Sequence, residues 1–293
     1  MFSGSFVALV TPMLPDGAVD FAGLKTLVDF HLQQGTDGLV VMGTTAEAAT
    51  LGFDEQLDII ARVISQVDGQ IPVLAGNGSN ATSEGVARTR ALDKLAIDGF
   101  LTVTPFYNKP MQKGLLAHFQ QVAAATTKPI LLYNVPGRTG VDLLPETVAA
   151  LACTDNIVGI KEATGSIERL NELQQSCPAN FALLSGDDAS SLAFLQAGGH
   201  GVISVTANIA PAHMAKLCKL VLNKQFTDAS KLDSQLQGLH HQLFIESNPI
   251  PTKWALQRLG YIDSDFMRLP LTQLEPIHNG VIEQALQQAG LLA

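Results

Sequence analysis

Residues 157–165 read Ile-Val-Gly-Ile-Lys-Glu-Ala-Thr-Gly. The first four show no polar alternation, which suits a short strand covered on both faces. The run ends on a lysine and passes into a turn. Comparable apolar runs lie at Ser5–Val10, Gly38–Met42, Pro72–Ala75, Phe100–Thr104, Ile130–Tyr133, Ala182–Leu184 and Gly201–Val205. Their centres are roughly 20 to 34 residues apart, room for one helix and two loops, which is the βα unit of a parallel sheet. The intervals carry helical patterns. Phe21–Gln34 sets Leu24, Leu27, Val28, His31 and Leu32 on one face, and Asp54–Val67 groups Leu57, Ile60, Ala61 and Ile64.

Eight such units predict an α/β fold, a (β/α)8 TIM barrel over residues 1–224. An open doubly wound sheet also satisfies the periodicity. Beyond residue 224 the strand pattern stops, and residues 225–293 read as a helical extension, clearest at Phe226–Phe244 and Thr252–Leu259.

Composition narrows the function. The chain has 293 residues with 46 % hydrophobic and 15 % charged residues, too apolar and too weakly charged for disorder. The net charge of −9 argues against nucleic acid or an anionic membrane as partner. Cys153, Cys177 and Cys218 show no motif spacing, and a reducing compartment is the simpler reading. No positive residue precedes Lys25, so no signal peptide is read at Phe6–Val10 and a cytoplasmic location is expected. The one long stretch without acids, lysines or arginines, Ala189–Ala215, is broken by Gly198-Gly199, Asn208 and Pro211 and does not read as a membrane span.

In a parallel α/β fold the chemistry lies at the C-terminal ends of the strands. Of eleven lysines only Lys161 directly ends an expected core strand. Desolvation at a barrel mouth disfavours an ammonium, and only a neutral amine attacks a carbonyl, so Lys161 is a candidate Schiff-base nucleophile. The alternative is a structural lysine paired with Glu162. Two of the three tyrosines, Tyr107 and Tyr133, also follow strands and suit proton relay. Thr44 and Thr45 offer hydroxyls and backbone N–H groups to a relay or a carboxylate. Arg138, in Pro-Gly-Arg-Thr-Gly, has the fork that grips a carboxylate.

Other signals carry less. Gly76-Asn77-Gly78-Ser79-Asn80-Ala81 matches a dinucleotide fingerprint, but the next strand ends in Thr104-Pro105 with no acid for a ribose. Asp187-Asp188 lacks a histidine at ligand spacing and reads as a helix cap, so no metal is expected. His200, His213 and His240-His241 have no ligating companion.

The ordered set Phe2-Ser3-Gly4-Ser5, Gly43-Thr44-Thr45-Ala46-Glu47, Thr102-Val103-Thr104-Pro105, Tyr133-Asn134-Val135-Pro136, Gly159-Ile160-Lys161-Glu162-Ala163, Ser185-Gly186-Asp187-Asp188, Gly199-His200-Gly201-Val202-Ile203-Ser204 and Asn248-Pro249-Ile250-Pro251 resembles the dihydrodipicolinate synthase family. These are pyruvate-dependent class I aldolases of lysine (diaminopimelate) biosynthesis, and the resemblance spans essentially the whole chain. It implies a barrel with a C-terminal helical domain, usually a homotetramer built from two tight dimers. It implies that Lys161 forms an imine with pyruvate, whose enamine attacks L-aspartate 4-semialdehyde to give 4-hydroxy-tetrahydrodipicolinate. No cofactor beyond the covalent imine is implied. By the same resemblance Tyr133 relays protons with Thr44 and with a Tyr107 reaching in from a neighbouring subunit. Thr44 and Thr45 hold the pyruvate carboxylate, Arg138 grips the carboxylate of the aldehyde, and Gly186 and Ile203 line the pocket through their carbonyls.

The sequence departs from the family pattern twice. Ala46 stands where the family usually has glycine, which adds strain if the position needs positive φ. Family members that respond to L-lysine bind it through residues matching Ala49, Asn80 and Glu84, plus a serine, two histidines and a tyrosine. Those last positions here are Ala48, Phe53, Gln56 and Phe106. Weak or absent inhibition by lysine is the expectation. The competing readings are a sibling aldolase, such as N-acetylneuraminate lyase or a 2-keto-3-deoxy sugar acid aldolase, and a non-catalytic barrel. Arg138 favours an aldehyde with a free carboxylate over a sugar.

Overall fold

The structure, a computed structural model, describes residues 2–292. Among them, eight strands close into a barrel in sequence order. They are β1 (Gly4–Ala8), β2 (Gly38–Val41), β3 (Val73–Gly76), β4 (Gly99–Val103), β5 (Ile130–Asn134), β6 (Ile157–Glu162), β7 (Ala182–Ser185) and β8 (Gly201–Ser204). Every expected strand is present within a residue or two of its expected bounds. Closure excludes the open sheet, and neighbouring strands run parallel, with Phe6 opposite Gly38 and Tyr133 opposite Lys161.

The chain divides into two compact units. The first holds β3–β8 through Ile203, and its strands are buried almost throughout, as uninterrupted apolar runs require. Lys161 corrects the expected strand end. β6 does not stop at Ile160 but continues through Glu162, because Lys161 and Glu162 pair with Tyr133 and Asn134 on β5. The dinucleotide-like turn after β3 is filled by protein. Asn77 donates to Thr89 Oγ1 (2.8 Å) and accepts from Thr102 Oγ1 (2.7 Å), and a Cβ at Gly78 would run into Val103.

The second unit spans Ser5–Ile71 and the chain from Ser204 onward. Asn208 ties its two stretches together, accepting from Val10 N (3.1 Å) and donating to Ala8 O (2.9 Å). Asp20 caps the helix Phe21–Gln33 by accepting from Ala22 N and Gly23 N. That helix buries Leu24, Leu27, Val28 and His31 as expected. The helix Phe53–Val67 buries the expected Ile60 but, in place of Leu57, Ala61 and Ile64, buries Gln56, Ile59, Val63 and Val67. Its phase is set by Gln56, whose amide donates to Ala48 O and Leu51 O and so draws a polar residue inward. After β8 come helices Pro211–Leu222, Phe226–Gln242, Ile250–Arg258 and Asn279–Gln288, the last lying within the expected helical extension but not singled out in it.

Candidate active site

In the first unit, Tyr133 and Lys161 are register partners near the C-terminal ends of β5 and β6. Equivalent positions on paired strands send their side chains to the same face. The Lys161 Nζ accordingly lies over the Tyr133 ring, 4.4 Å from its centroid. Lys161 is 5 % exposed and Tyr133 is also buried. Among the described residues no carboxylate lies within ion-pair distance of the Lys161 nitrogen, so the structural pairing with Glu162 is not formed.

Glu162 faces the other way, as the residue after Lys161 on a strand must. It accepts from Asn134 Nδ2 (3.1 Å) and Thr164 N (2.8 Å), with the Arg169 guanidinium 3.8 Å away. Asn134 also donates to Asp142 Oδ1 (2.7 Å) and accepts from Leu143 N (3.0 Å), so all of its amide groups are used. Arg169 grips Asp142 with two bonds, of 2.7 and 3.0 Å. Burial pushes the Glu162 carboxyl above the usual carboxylate range, and the hydrogen bonds from Asn134 and Thr164 pull it part of the way back. Arg169 holds Asp142 below that range. This network behind Tyr133 and Lys161 fixes the register that places them together. Sequence reading missed it, although strand alternation alone separates Glu162 from Lys161.

Gly186, after β7, stands against the lysine stem. A Cβ there would come within 2.7 Å of Lys161 Cε and 2.9 Å of its Cγ. Only glycine leaves the stem in place. Ile203 is buried within β8. Arg138 belongs to the short helix Pro136–Thr139 that follows β5, and is exposed with no carboxylate partner among the described residues. Tyr107 is 88 % exposed, and its φ of 76° is an unusual conformation for a bulky residue. Its backbone N–H donates to Thr139 O (3.2 Å), so the ring points out from a tethered turn.

In the second unit, Thr44-Thr45-Ala46 forms one 3-10 turn after β2. Thr44 is exposed, whereas Thr45 is 2 % exposed and accepts from Asn248 Nδ2 at 2.8 Å. Ala46 does not carry the positive φ that the family glycine raised as a concern. The left-handed residues are Met42 (φ 59°) and Glu47 (φ 56°), on either side of the turn. Glu47 is buried and pairs with Lys253 Nζ at 2.7 Å. Neither Asn248 nor Lys253 was assigned a role from sequence, since both lie more than 200 positions from the turn they touch. Of the residues matching a lysine-binding site, Ala49, Asn80 and Glu84 are all at least partly exposed. Among the described residues no cluster of three or more His, Cys, Asp or Glu suited to a metal ion is found, and no helix is long and apolar enough to cross a membrane.

Comparison with known proteins bears on the whole chain. The model of the dihydrodipicolinate synthetase family matches residues 1–289. The 4-hydroxy-tetrahydrodipicolinate synthases of Pseudoalteromonas atlantica and Erwinia tasmaniensis are 50 % and 52 % identical, each over 100 % of both chains. The crystal structure of the chloride-inhibited dihydrodipicolinate synthase of Acinetobacter baumannii, complexed with pyruvate, is 45 % identical and superposes with a TM-score of 0.97 over 100 % of both chains.

Proposed function

The chain belongs to the dihydrodipicolinate synthetase family and carries the 4-hydroxy-tetrahydrodipicolinate synthase activity of its full-length relatives; on that premise we propose that Lys161 is its nucleophile and Tyr133 the proton carrier beside it. Pyruvate and L-aspartate 4-semialdehyde are the substrates, and the product serves lysine biosynthesis. The observation that carries the assignment is the buried Lys161 amine, 4.4 Å from the Tyr133 ring centre and, among the described residues, without a carboxylate partner.

The Lys161 nitrogen attacks the C2 carbonyl of pyruvate, and water leaves to give the imine. Tyr133 passes the protons this exchange requires, with Thr44 and the Tyr107 of a second copy as further members of the relay. Loss of a methyl proton gives the enamine, whose carbon attacks the aldehyde of the second substrate. The amino group of that substrate then adds to the imine carbon and displaces Lys161, closing the ring and restoring the free amine. No other cofactor is required for these steps. Thr44 and Thr45 are assigned the pyruvate carboxylate, Arg138 the carboxylate of the aldehyde, and the carbonyls of Gly186 and Ile203 the pocket wall. The exposed Arg138, with no carboxylate partner among the described residues, is available for that bond.

The exposure of Tyr107 and Met111 supports assembly in which a second copy covers them, and a homotetramer of two dimers is the proposed form. The cytoplasm is the proposed location. Incubation with pyruvate and borohydride, followed by peptide mass analysis, tests the central assignment. A reduced adduct on Lys161 alone is the expected outcome, and an adduct on any of the other ten lysines, or none, removes it.

A further inference from the structure

We propose that Asn248 is a positioning residue that fixes the Thr45 hydroxyl as a hydrogen-bond donor to the substrate carboxylate, and that the Glu47–Lys253 pair anchors the turn on which Thr45 sits. The inference rests on the assignment of that carboxylate to Thr45.

The turn is costly to hold. Met42 and Glu47 flank it in left-handed conformations that side chains disfavour, and such strain persists only where the surroundings over-determine it. Here the chain from Asn248 to Arg268 supplies the surroundings. Lys253 Nζ donates to Glu47 Oε1 (2.7 Å) and to Phe266 O (2.5 Å). Arg268 N donates to Glu47 Oε2 (3.2 Å), and the Arg268 guanidinium donates to Thr50 O (3.0 Å) and Gly17 O (2.9 Å). Both carboxylate oxygens of the left-handed Glu47 are thereby occupied, and the residue closing the turn cannot rotate away without leaving a buried ammonium and a buried carboxylate unpaired.

Asn248 acts one step nearer the substrate. Its Nδ2 donates to Thr45 Oγ1 at 2.8 Å, with both residues buried. A threonine hydroxyl has two lone pairs and one hydrogen. With a lone pair occupied by Asn248, the hydrogen is left without an acceptor among the described residues. Among the described residues Asn248 Oδ1 has no hydrogen-bond partner, so the bond to Thr45 is the only one its side chain makes there. A hydroxyl so arranged has a donor to offer an incoming carboxylate, and no rotamer search is needed when the ligand arrives.

A mutant cycle on the full-length enzyme separates this role from a merely structural one. The readout is the pyruvate concentration that half-saturates borohydride trapping on Lys161, in the wild type, Asn248→Ala, Thr45→Val and the double variant. Each single change is expected to raise it about tenfold, the weight of one hydrogen bond to a charged group. The double variant is expected to sit at about the same level as either single one, because Asn248 acts through Thr45. KM for the aldehyde is expected to stay within about twofold, since that substrate meets neither residue. Asn248→Ser replaces the alanine variant if the latter does not fold. An unchanged half-saturation in the Asn248 variant, or an increase of about a hundredfold in the double variant, overturns the proposal. A wild-type enzyme without a Lys161 adduct would instead sink the nucleophile assignment. An unaltered Thr45→Val that still traps Lys161 would remove the carboxylate assignment, and the purpose of Asn248 with it.

Discussion

Lys161 and Lys253 are both buried, 5 % and 0 % exposed, yet their side-chain nitrogens meet opposite surroundings. Lys253 lies in the helix Ile250–Arg258 and donates to the Glu47 carboxylate and the Phe266 carbonyl. Burial pushes it below the usual lysine range, and Glu47 pulls it part of the way back. Lys161 has the face of a phenol ring and, among the described residues, no acid. A buried lysine with its counter-charge is a structural strut, and removing one partner strands the other. A buried lysine without one is poorly suited to holding a fold together and well suited to attacking a carbonyl. Burial alone therefore does not distinguish a nucleophile from a strut; the partner does.

Lys161→Met is expected to lower turnover about a thousandfold or more, on the scale of losing a covalent catalytic group, while thermal unfolding by calorimetry stays close to wild type. A variant that unfolds instead would make Lys161 a strut as well. Lys253→Met is expected to do the opposite, destabilising the fold by about 3–5 kcal/mol because Glu47 is left buried and charged. Adding Glu47→Leu should recover much of that loss in denaturant titration, and a double variant no more stable than the single one would contradict the pairing.

The outer end of the same network should matter less. Arg268 holds Glu55 at 2.6 Å, but the Glu55 side chain is 40 % exposed, so the ion-pair part of the loss in Arg268→Met is expected to be about 1 kcal/mol, beside the bonds to Thr50 O and Gly17 O. Arg268 brings the Glu55 carboxyl down from 4.5 to about 2. Because the folded state favours the charged form, this contribution is whole above pH 4.5 and fades as pH falls toward about 2. The Tm difference between wild type and variant should shrink over that window, and a gap independent of pH would assign the loss to packing.

Free L-lysine offers a third ammonium, and the smallest response is expected there. Glu84 remains to meet it, 58 % exposed and 3.9 Å from Arg88. The Gln56 amide is already committed to Ala48 O and Leu51 O, and Phe106 brings no hydroxyl. Steady-state rates should fall by less than about twofold at millimolar L-lysine, since one exposed ion pair supplies little binding energy. Strong inhibition below that concentration would restore the site.

The two lysines also mark what the sequence discloses. The barrel was legible because a strand covered on both faces has little choice but an unbroken apolar run, as in Ile157–Ile160, and because eight such runs recur at βα spacing. Lys161 and Tyr133 were legible because polar groups at the ends of those runs interrupt the pattern. Lys253 was not, because it sits in an ordinary helical stretch and its partner is 206 residues away. The phase of Phe53–Val67 was misread for a related reason: the bonds that bury Gln56 come from backbone carbonyls, which no side-chain pattern records. Positive φ at Glu47, rather than at Ala46, was equally invisible, since the residue that pairs with Glu47 lies 206 positions away.

The missing side chain at Gly186 sets a boundary for redesign. The space a methyl group would need there is already taken by the methylene stem of Lys161 and the Ala163 methyl. A saturation library at that codon should therefore return active clones carrying glycine alone, and any attempt to retailor the enzyme for bulkier or smaller aldehydes must begin elsewhere.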